Sequence, residues 1–301
     1  MTVPRDPEEL GTSARPAQAE IAPHTTLGPV HLTVSDLETS IAYYEDSVGL
    51  AVLERADGSA SLGVAGRPLL VLVEHAGAAS AFGYTGLYHF ALLVPERPDL
   101  ARWLAHAARD RVPLVGLSDH FVSEALYLSD PDGHGIEIYW DRPREVWEGQ
   151  VAARLTTLPL DVEDLLGELE DPRTASFDGL PEGTVMGHVH LRVAAIEPTV
   201  RFYRDVLGFA LMAELGGSAA FLAAGGYHHH FGANTWESAN AAAPPPGTAA
   251  LRHATVVLPD ATARERLLER VAAAGEPVDA VDGEPMVRDP SGNALVLAIA
   301  G

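Results

Sequence analysis

The sequence predicts an α+β protein built from two tandem modules, each made of paired βαβββ units that form a curled open barrel. Two observations carry this prediction. GPVHLTVSDLETSIAYYEDSVGL, which begins at Gly28, recurs as GHVHLRVAAIEPTVRFYRDVLGF from Gly187, and the same offset of 159 residues relates DPDG at Asp130 to DPSG at Asp289. Each copy also passes from strand-like to helix-like periodicity in the same order, which is typical of a duplicated structural unit.

The elements of one module follow from its residue pattern. VHLTV alternates as a half-buried strand does, and Asp36 is suited to cap a helix that contains LETSIAYY. The runs AVLER, SASLGV and PLLVLVE, separated by Gly and Pro, predict three strands. The second unit repeats this order with YHFALLV, ARWLAHAARD, VPLVGL, EALYLSD and GIEIYW. We expect the strands of the two units to enclose a cavity within each module.

The repeat divides the chain into four segments. Residues 1–22 are rich in Pro, Ala and Glu and predict a disordered tail. The N-terminal module covers 23–142 and the C-terminal module 183–301, which agrees with a prior of about 150 residues per domain. Residues 143–182 between them predict an acidic linker with one helix packed on the outside, its carboxylates in solvent.

Charge and composition exclude several classes of function. The chain has 20 Lys and Arg against 42 Asp and Glu, and its net charge of −22 would repel nucleic acid. It has no cysteine, so a metal site must use His, Asp or Glu. There is neither an apolar run long enough to span a membrane nor a secretory signal, so we expect a cytoplasmic protein without membrane partners. The sequence leaves a homo-oligomer open.

Three residues in the N-terminal module form a candidate metal site. His31, His89 and Glu137 occupy the apolar strand contexts VHL, YHF and IEI, where an uncompensated imidazole or carboxylate would be costly to bury. Two His and one carboxylate on three strands make a facial triad, the donor set suited to non-haem Fe(II). Alternatively, each His is a hydrogen-bonded core residue and Glu137 lies in solvent on an edge strand.

The module pattern resembles the vicinal oxygen chelate superfamily, which includes glyoxalase I, bleomycin resistance proteins and type I extradiol dioxygenases. HFVSEALYLSDPDGHGIE, from His120 to Glu137, is similar to the extradiol signature, from which Ser118 departs. The whole chain most resembles the two-module catechol 2,3-dioxygenases of the bacillus type. The shared motifs are GLYHFALLVPER, SEALYLSDPDG, DRPR-x-x-W, GHVHL and GGYHHH.

The resemblance implies an activity and a set of site residues. It implies extradiol cleavage of a small aromatic diol by O2, with Fe(II), or alternatively Mn(II), as the cofactor. His31, His89 and Glu137 match the metal ligands of the family, and His120 and Tyr127 match its flanking catalytic residues. His75 falls where the family often has its acid/base His. The alternative for His75 is a surface loop residue that follows VLVE.

The C-terminal module departs from this pattern. Its equivalents of the three ligands are His190, His253 and Val296, so the carboxylate is missing. His188 precedes His190 by two residues and shares its face.

The sequence YHHH from Tyr227 adds further candidates to that module. Strand alternation would direct His228 and His230 to one face and His229 to the other, so one or two of them could join His190 and His253 in an all-nitrogen second pocket. The alternative is a structural or substrate-contacting cluster.

Two other functions stay open at this point. A glyoxalase-type isomerase or lyase would use Ni, Zn or Mn, would favour a carboxylate from the fourth strand, and would not require His75 or Tyr127. A non-catalytic drug-binding module would have a cavity without a metal.

Overall fold

The computed structural model describes residues 20–301. Most of the expected tail, 1–22, therefore lies outside the described residues. Of its last three residues, Ile21 is buried and donates its backbone N–H to the Gly208 carbonyl. The chain is thus attached to the C-terminal module just before the first strand begins.

The first repeat folds in the predicted order. The Asp36 side chain accepts the Thr39 backbone N–H and so caps the first helix, which continues as a π-helical turn over Tyr44–Val48. The elements are β1 (Thr26–Val34), α1 (Leu37–Tyr43), β2 (Ala51–Ala56), β3 (Ser59–Val64), β4 (Arg67–Glu74), β5 (Ala79–Ser80), β6 (Gly86–Leu93), α2 (Arg97–Asp110), β7 (Gly116–Asp119), β8 (Ser123–Ser129) and β9 (Gly135–Asp141).

The linker has more structure than the single helix expected for it. It contains α3 (Arg144–Trp147), α4 (Val151–Arg154), the strand β10 (Leu158–Pro159) and α5 (Val162–Leu166). Asp164 and Glu168 both pair with Arg97 at the start of α2, so these carboxylates hold the linker against the first module. The Asp164 side chain is 65% exposed and that of Glu168 is 35% exposed, so both carboxylates lie on a solvated face, as expected, and also pair with Arg97.

The second repeat follows the same plan, with a π-helical turn over Phe202–Val206 at the place equivalent to the first. Its elements are β11 (Val185–Arg192), α6 (Ile196–Arg201), β12 (Ala210–Leu215), β13 (Ala219–Ala223), β14 (Phe231–Asn234), β15 (Thr248–Ala249), β16 (Leu251–Leu258), α7 (Ala261–Ala273), β17 (Asp279–Val281), β18 (Glu284–Arg288) and β19 (Ala294–Ile299). The prediction of two tandem modules of mixed α+β structure is confirmed.

The sheets exchange halves between the modules. Within residues 20–301, an eight-stranded sheet has the order β17-β18-β19-β16-β1-β4-β3-β2, and a nine-stranded sheet has the order β10-β7-β8-β9-β6-β11-β14-β13-β12. Within each sheet, one antiparallel strand pair joins the two halves. This pair is β1 with β16 in the eight-stranded sheet and β6 with β11 in the nine-stranded sheet. Each sheet therefore combines the first unit of one module with the second unit of the other. The expectation that each module encloses its own cavity is wrong.

The repeated DPDG and DPSG turns have a structural role. Asp130 accepts a hydrogen bond from the Tyr44 hydroxyl, and Asp289 accepts the equivalent bond from Tyr203. Both carboxylates and both tyrosines are buried, so each pair ties the end of a second unit to the helix of a first unit.

Among the helices of residues 20–301, none combines the length and the apolar character needed to cross a bilayer.

Candidate metal centre and active site

Three buried donor atoms converge where β6, β9 and β11 lie side by side. The Nε2 atoms of His89 and His188 lie 3.0 and 2.9 Å from the same Glu137 carboxylate oxygen, Oε2. The two Nε2 atoms are 3.3 Å apart. His89, Glu137 and His188 are 7%, 1% and 2% exposed. We call these three residues the donor triad.

The spacing within the donor triad fits a metal ion. Ligands at right angles, with metal bonds of about 2.1 Å, are separated by about 3.0 Å, whereas tetrahedral ligands are separated by about 3.4 Å. The three observed separations lie between 2.9 and 3.3 Å. Two nitrogens and one carboxylate oxygen on one face therefore match the facial arrangement, in which other coordination positions stay open.

The chain geometry at β11 explains how His188 reaches this group. The register of β11 against β6 shifts between Met186 and His188, which places Gly187 in a β-bulge. A Cβ at Gly187 would collide with the Tyr139 hydroxyl, so only glycine fits there. A bulge redirects the neighbouring side chain, and in this strand that side chain is His188.

The electrostatics of the donor triad favour the protonation states that bind cations. Burial opposes ionisation of Glu137, but the His188 and His89 imidazoles outweigh it, and the pKa of the carboxyl lies well below its usual range. Burial lowers the pKa of His188, although Glu137 acts in the opposite direction. An ionised carboxylate beside a neutral imidazole is the state that a metal requires of its ligands.

A cavity of about 560 Å³ opens in front of the donor triad. His120 and Tyr127, both predicted as catalytic residues, line it together with His190 and His229. Tyr127 is opposite Glu137 in the β8–β9 register, so the two side chains share a face. The structure thus brings His89, Glu137, His120 and Tyr127 together, as the sequence predicted.

His120 and Tyr127 form a hydrogen-bonded pair. The Nδ1 of His120 lies 2.8 Å from the Thr156 carbonyl, which can only accept, so Nδ1 carries a proton. In the neutral imidazole, Nε2 then accepts the Tyr127 hydroxyl at 2.7 Å. The tautomer assigned from this network makes the linker residue Thr156 part of the support for the site.

A second hydrogen-bonded chain leads to His229. The Asp141 carboxylate accepts the Tyr227 hydroxyl at 2.7 Å and the His228 Nε2–H at 2.8 Å. The Nδ1 atoms of His228 and His229 are 2.8 Å apart. A neutral His228 with its proton on Nε2 must accept at Nδ1, so His229 donates there and its own Nε2 carries no proton. His229 lies beside the donor triad, with its ring 4.2 Å from that of His188.

His31 does not join the donor triad, which corrects the predicted ligand set. It lies on β1 in the eight-stranded sheet, where its ring stacks on His253 at 3.9 Å. Burial, with the charge of Arg252, lowers the pKa of His31 to about 4. The physical reason is the exchange of halves, because β6 lies against β11 and not against β1.

His75 also lies away from the site, against the prediction of an acid/base role. It follows β4 in the eight-stranded sheet, is exposed, and approaches Gly247. The surface-loop alternative describes its position correctly. The nine-stranded sheet has His229 immediately before β14, the strand equivalent to β4.

The predicted second pocket is not assembled as one site. His253 belongs to the eight-stranded sheet, whereas His190 and the His228–His230 run belong to the nine-stranded sheet and its flanking loop. His190 lines the cavity of the donor triad. His228 contacts Asp141, and His230 accepts the Ala224 backbone N–H. The grouping of His190, His228, His230 and His253 around one metal is therefore wrong.

Sequence reasoning missed two site residues, His188 and His229. The sequence contains a signal for His188, since it shares a strand face with His190. The repeat, however, aligns His190 with His31 and His188 with Pro29, and therefore favours His31 as the ligand. The run lies in the loop before β14 and not on a strand, and His229 is the one of its three histidines that lines the cavity.

Comparisons with known proteins show the family of the chain. The family model described as the Glyoxalase/Bleomycin resistance protein/Dioxygenase superfamily matches residues 23–138 and 185–297. A "Catechol-2,3-dioxygenase" from Bacillus subtilis (strain 168) is 40% identical over 278 residues, which cover 90% of this chain and 96% of that protein.

Two solved structures share the fold. Glyoxalase I from Zea mays has a TM-score of 0.52 at 16% identity, covering 91% of this chain and 92% of that one. The cppA protein from Streptococcus pneumoniae TIGR4 has a TM-score of 0.51 at 13% identity, covering 96% of this chain and all of that one. At such identities, the likeness is one of fold alone.

Proposed function

We propose Fe(II)-dependent extradiol cleavage of a catechol-type ring by O2 for this chain, which belongs to the Glyoxalase/Bleomycin resistance protein/Dioxygenase superfamily. The facial geometry of the donor triad carries the proposal. Two imidazoles and one carboxylate are the donor set of non-haem Fe(II) oxygenases, and Mn(II) is the alternative metal. The Bacillus subtilis relative, named a catechol-2,3-dioxygenase, supports the same reaction.

The cavity suits an aromatic diol. Its volume of about 560 Å³ lies within the range of roughly 300–1,000 Å³ common for small-molecule sites. Fe(II) bound to the donor triad would supply Lewis acidity and open positions for the diol oxygens and O2. The surrounding residues must then remove a proton from the diol and stabilise negative charge that develops on oxygen.

His229 is suited to accept the first diol proton. It lines the cavity in its neutral form, because burial together with the nearby imidazoles holds its pKa well below the usual range, and the same shift makes it a weaker base until the incoming charge is compensated. The Asp141 and His228 chain keeps its proton on Nδ1, so Nε2 is the acceptor. Transfer to Nε2 would make His229 a cation, which the chain to the Asp141 carboxylate stabilises.

His120 and Tyr127 are suited to stabilise charge on the substrate. Tyr127 lies on the same face as Glu137, and His120 holds its hydroxyl at 2.7 Å. The Tyr127 proton points to His120 here, so the hydroxyl must rotate away from His120 to donate to a substrate oxygen. A donor that meets charge only as it develops lowers the barrier more than it strengthens binding. We therefore assign this pair to the ring-opening stage and not to metal binding.

One structural feature counts against the glyoxalase-type alternative. That function would favour a carboxylate from the fourth strand of the unit. Beside the donor triad the cavity is lined by His229, whereas the carboxylate of Glu237, after β14, lies near Arg192. An imidazole held as a base suits proton removal from a diol.

The test of the proposed function is anaerobic reconstitution with Fe(II), followed by O2 uptake and the absorbance of a ring-opened semialdehyde from catechol. We expect turnover in the wild type and none in His188→Ala. His253→Ala is the matched control, because it removes a similarly buried His from the other sheet. Isomerisation of a hemithioacetal without catechol cleavage would contradict the proposal.

A further inference from the structure

The cavity has a second polar end, away from the donor triad. His188, His190 and Arg192 alternate along β11 and all line the cavity. Since a strand rises about 3.3 Å per residue, the Cα atoms of His188 and Arg192 are about 13 Å apart. Trp236, just after the neighbouring strand β14, lines the cavity as well. We call His190, Arg192 and Trp236 the distal site.

Each residue of the distal site has a buried polar atom without a partner. Within residues 20–301, the His190 Nε2, the Arg192 Nε and the Trp236 Nε1 make no hydrogen bond. His190 is 4% exposed and Arg192 is 9% exposed, so water does not readily replace the missing partner. Unsatisfied groups of this kind are rare in folded proteins and call for an explanation.

The charge of Arg192 is only partly compensated. Its Nη1 lies 3.6 Å from the Glu237 carboxylate, which is beyond a good hydrogen bond, and Glu237 is largely exposed at the rim. Burial lowers the pKa of Arg192, yet a guanidinium keeps its proton in proteins. The distal site therefore places a buried and only partly compensated cation, with the Trp236 indole next to it, at the wall of the cavity.

We propose that the distal site binds an ionised carboxylate on a substituent of the aromatic substrate. A carboxylate accepts several hydrogen bonds at once and compensates the guanidinium. This inference rests on the proposed function, because the diol must reach the donor triad while its substituent reaches Arg192. A catechol with a short carboxylate side chain opposite the diol spans that separation, given the length of an arginine side chain.

The partners of His190 support a fixed site. Its ring lies against the Gly232 backbone and contacts Tyr88, Phe221 and Trp236. A Cβ at Gly232 would lie 2.7 Å from the His190 Nδ1, so β14 leaves this space for the imidazole. The distal site is thus held by packing before a ligand arrives.

The test compares 3,4-dihydroxyphenylacetate with its uncharged methyl ester in wild type, Arg192→Met and Arg55→Met. Arg55 is a surface residue paired with Glu38, and it serves as the control for loss of one positive charge. We expect kcat/KM for the acid to fall about 10- to 100-fold in Arg192→Met, the usual effect of losing a charge-assisted hydrogen bond. The ester should change little, and Arg55→Met should leave both substrates unchanged. Equal losses for acid and ester would overturn the proposal.

A binding measurement separates this proposal from the proposed function. Phenylacetate has no diol, so its binding to metal-free protein, followed by calorimetry, reports the distal site alone. Binding that weakens at least 10-fold in Arg192→Met would support the distal site even if no catechol is cleaved. Arg192→Lys, which keeps the charge without the planar donor edge, should be intermediate. No effect of either substitution on phenylacetate binding would refute the distal site, whatever the turnover of catechol.

Discussion

The two sheets hold equivalent positions with different chemistry. In the nine-stranded sheet these positions are His188, His89 and Glu137, which form the donor triad. The residues that the repeat places in the eight-stranded sheet are Pro29, His253 and Val296.

The difference lies in donor atoms and not in the scaffold. The β1–β16 pair repeats the register shifts of the β11–β6 pair, so the backbone plan is kept. Proline and valine have no side-chain atom that can bind a metal. A shared fold therefore does not imply a shared site, because a site depends on a few side chains that can be lost without loss of the core.

The residues around the donor triad differ in the same way. The positions of His120 and Tyr127 correspond to Asp279 and Met286 in the eight-stranded sheet. Met286 faces Val296 as Tyr127 faces Glu137. The eight-stranded sheet thus has a carboxylate and a thioether at the positions where the nine-stranded sheet has the predicted catalytic pair.

Removing a ligand should give the largest effect. Glu137→Ala or His188→Ala deletes a donor atom, and loss of several kcal/mol of metal-derived stabilisation should lower kcat/KM by about a thousandfold or more. Elemental analysis after Fe(II) reconstitution should show little iron. His253→Ala should keep both iron and turnover. Loss of iron in His253→Ala would contradict the assignment of the metal to the nine-stranded sheet.

His120→Gln should act on rate more than on binding. Removing a group that meets charge in the transition state typically costs about two to three powers of ten in kcat. Iron content and the affinity for catechol should be largely kept. Asp279→Asn, at the equivalent place, is the control, and oxygen uptake is the measurement. An unchanged kcat in His120→Gln would make this residue structural.

Metal should stabilise the protein through one sheet only. We expect about one Fe(II) per chain, since within residues 20–301 a group of two His and one carboxylate occurs in the nine-stranded sheet alone. At a free metal concentration of about 100 times Kd, the free energy of unfolding should rise by about 2.7 kcal/mol. Thermal unfolding with and without metal tests this in wild type and in His188→Ala, which should not respond. Two equivalents of Fe(II) bound per chain would contradict the conclusion that the two sheets differ in metal binding.

His228→Phe should have a smaller effect, because His228 acts through His229. Loss of a supporting hydrogen bond typically costs about 10- to 100-fold. We expect this loss in kcat at normal iron content, with partial rescue in His228→Gln, whose amide can both donate and accept. His230→Gln, in the same histidine run, should have little effect on kcat. Loss of iron in His228→Phe would point to a structural role instead.

The stacked His31 and His253 pair predicts the smallest effect, on stability in acid. Burial lowers the pKa of both imidazoles to about 4, whereas the ordinary value is 6.5. Between these values the unfolded chain binds more protons, so stability falls as the pH drops from 6.5 to 4. His31→Phe should reduce that fall by about 1 kcal/mol, because His31 is only half-buried and its charge is partly screened by solvent. Denaturant unfolding at pH 4.5 and 7 is the measurement, and an unchanged pH dependence would exclude the pair as its cause.

The sequence by itself determined the repeat, the order of strands and helices, the family and several site residues. Local periodicity decides whether a residue lies on a strand and which neighbours share its face. That was enough to select His89 and Glu137, whereas His120 and Tyr127 came from the family resemblance. The family resemblance is confirmed by the match over both modules.

Only the tertiary structure decided which strands lie side by side. The edge of β6 can pair with the first strand of either module, because VHLTV and VHLRV carry the same pattern. The chain pairs β6 with β11, so His188 and His229 line the cavity of the candidate site, and His31 and His75 do not. Which of two similar units a strand pairs with depends on contacts between residues far apart in the sequence. The residue pattern within one strand does not determine that pairing.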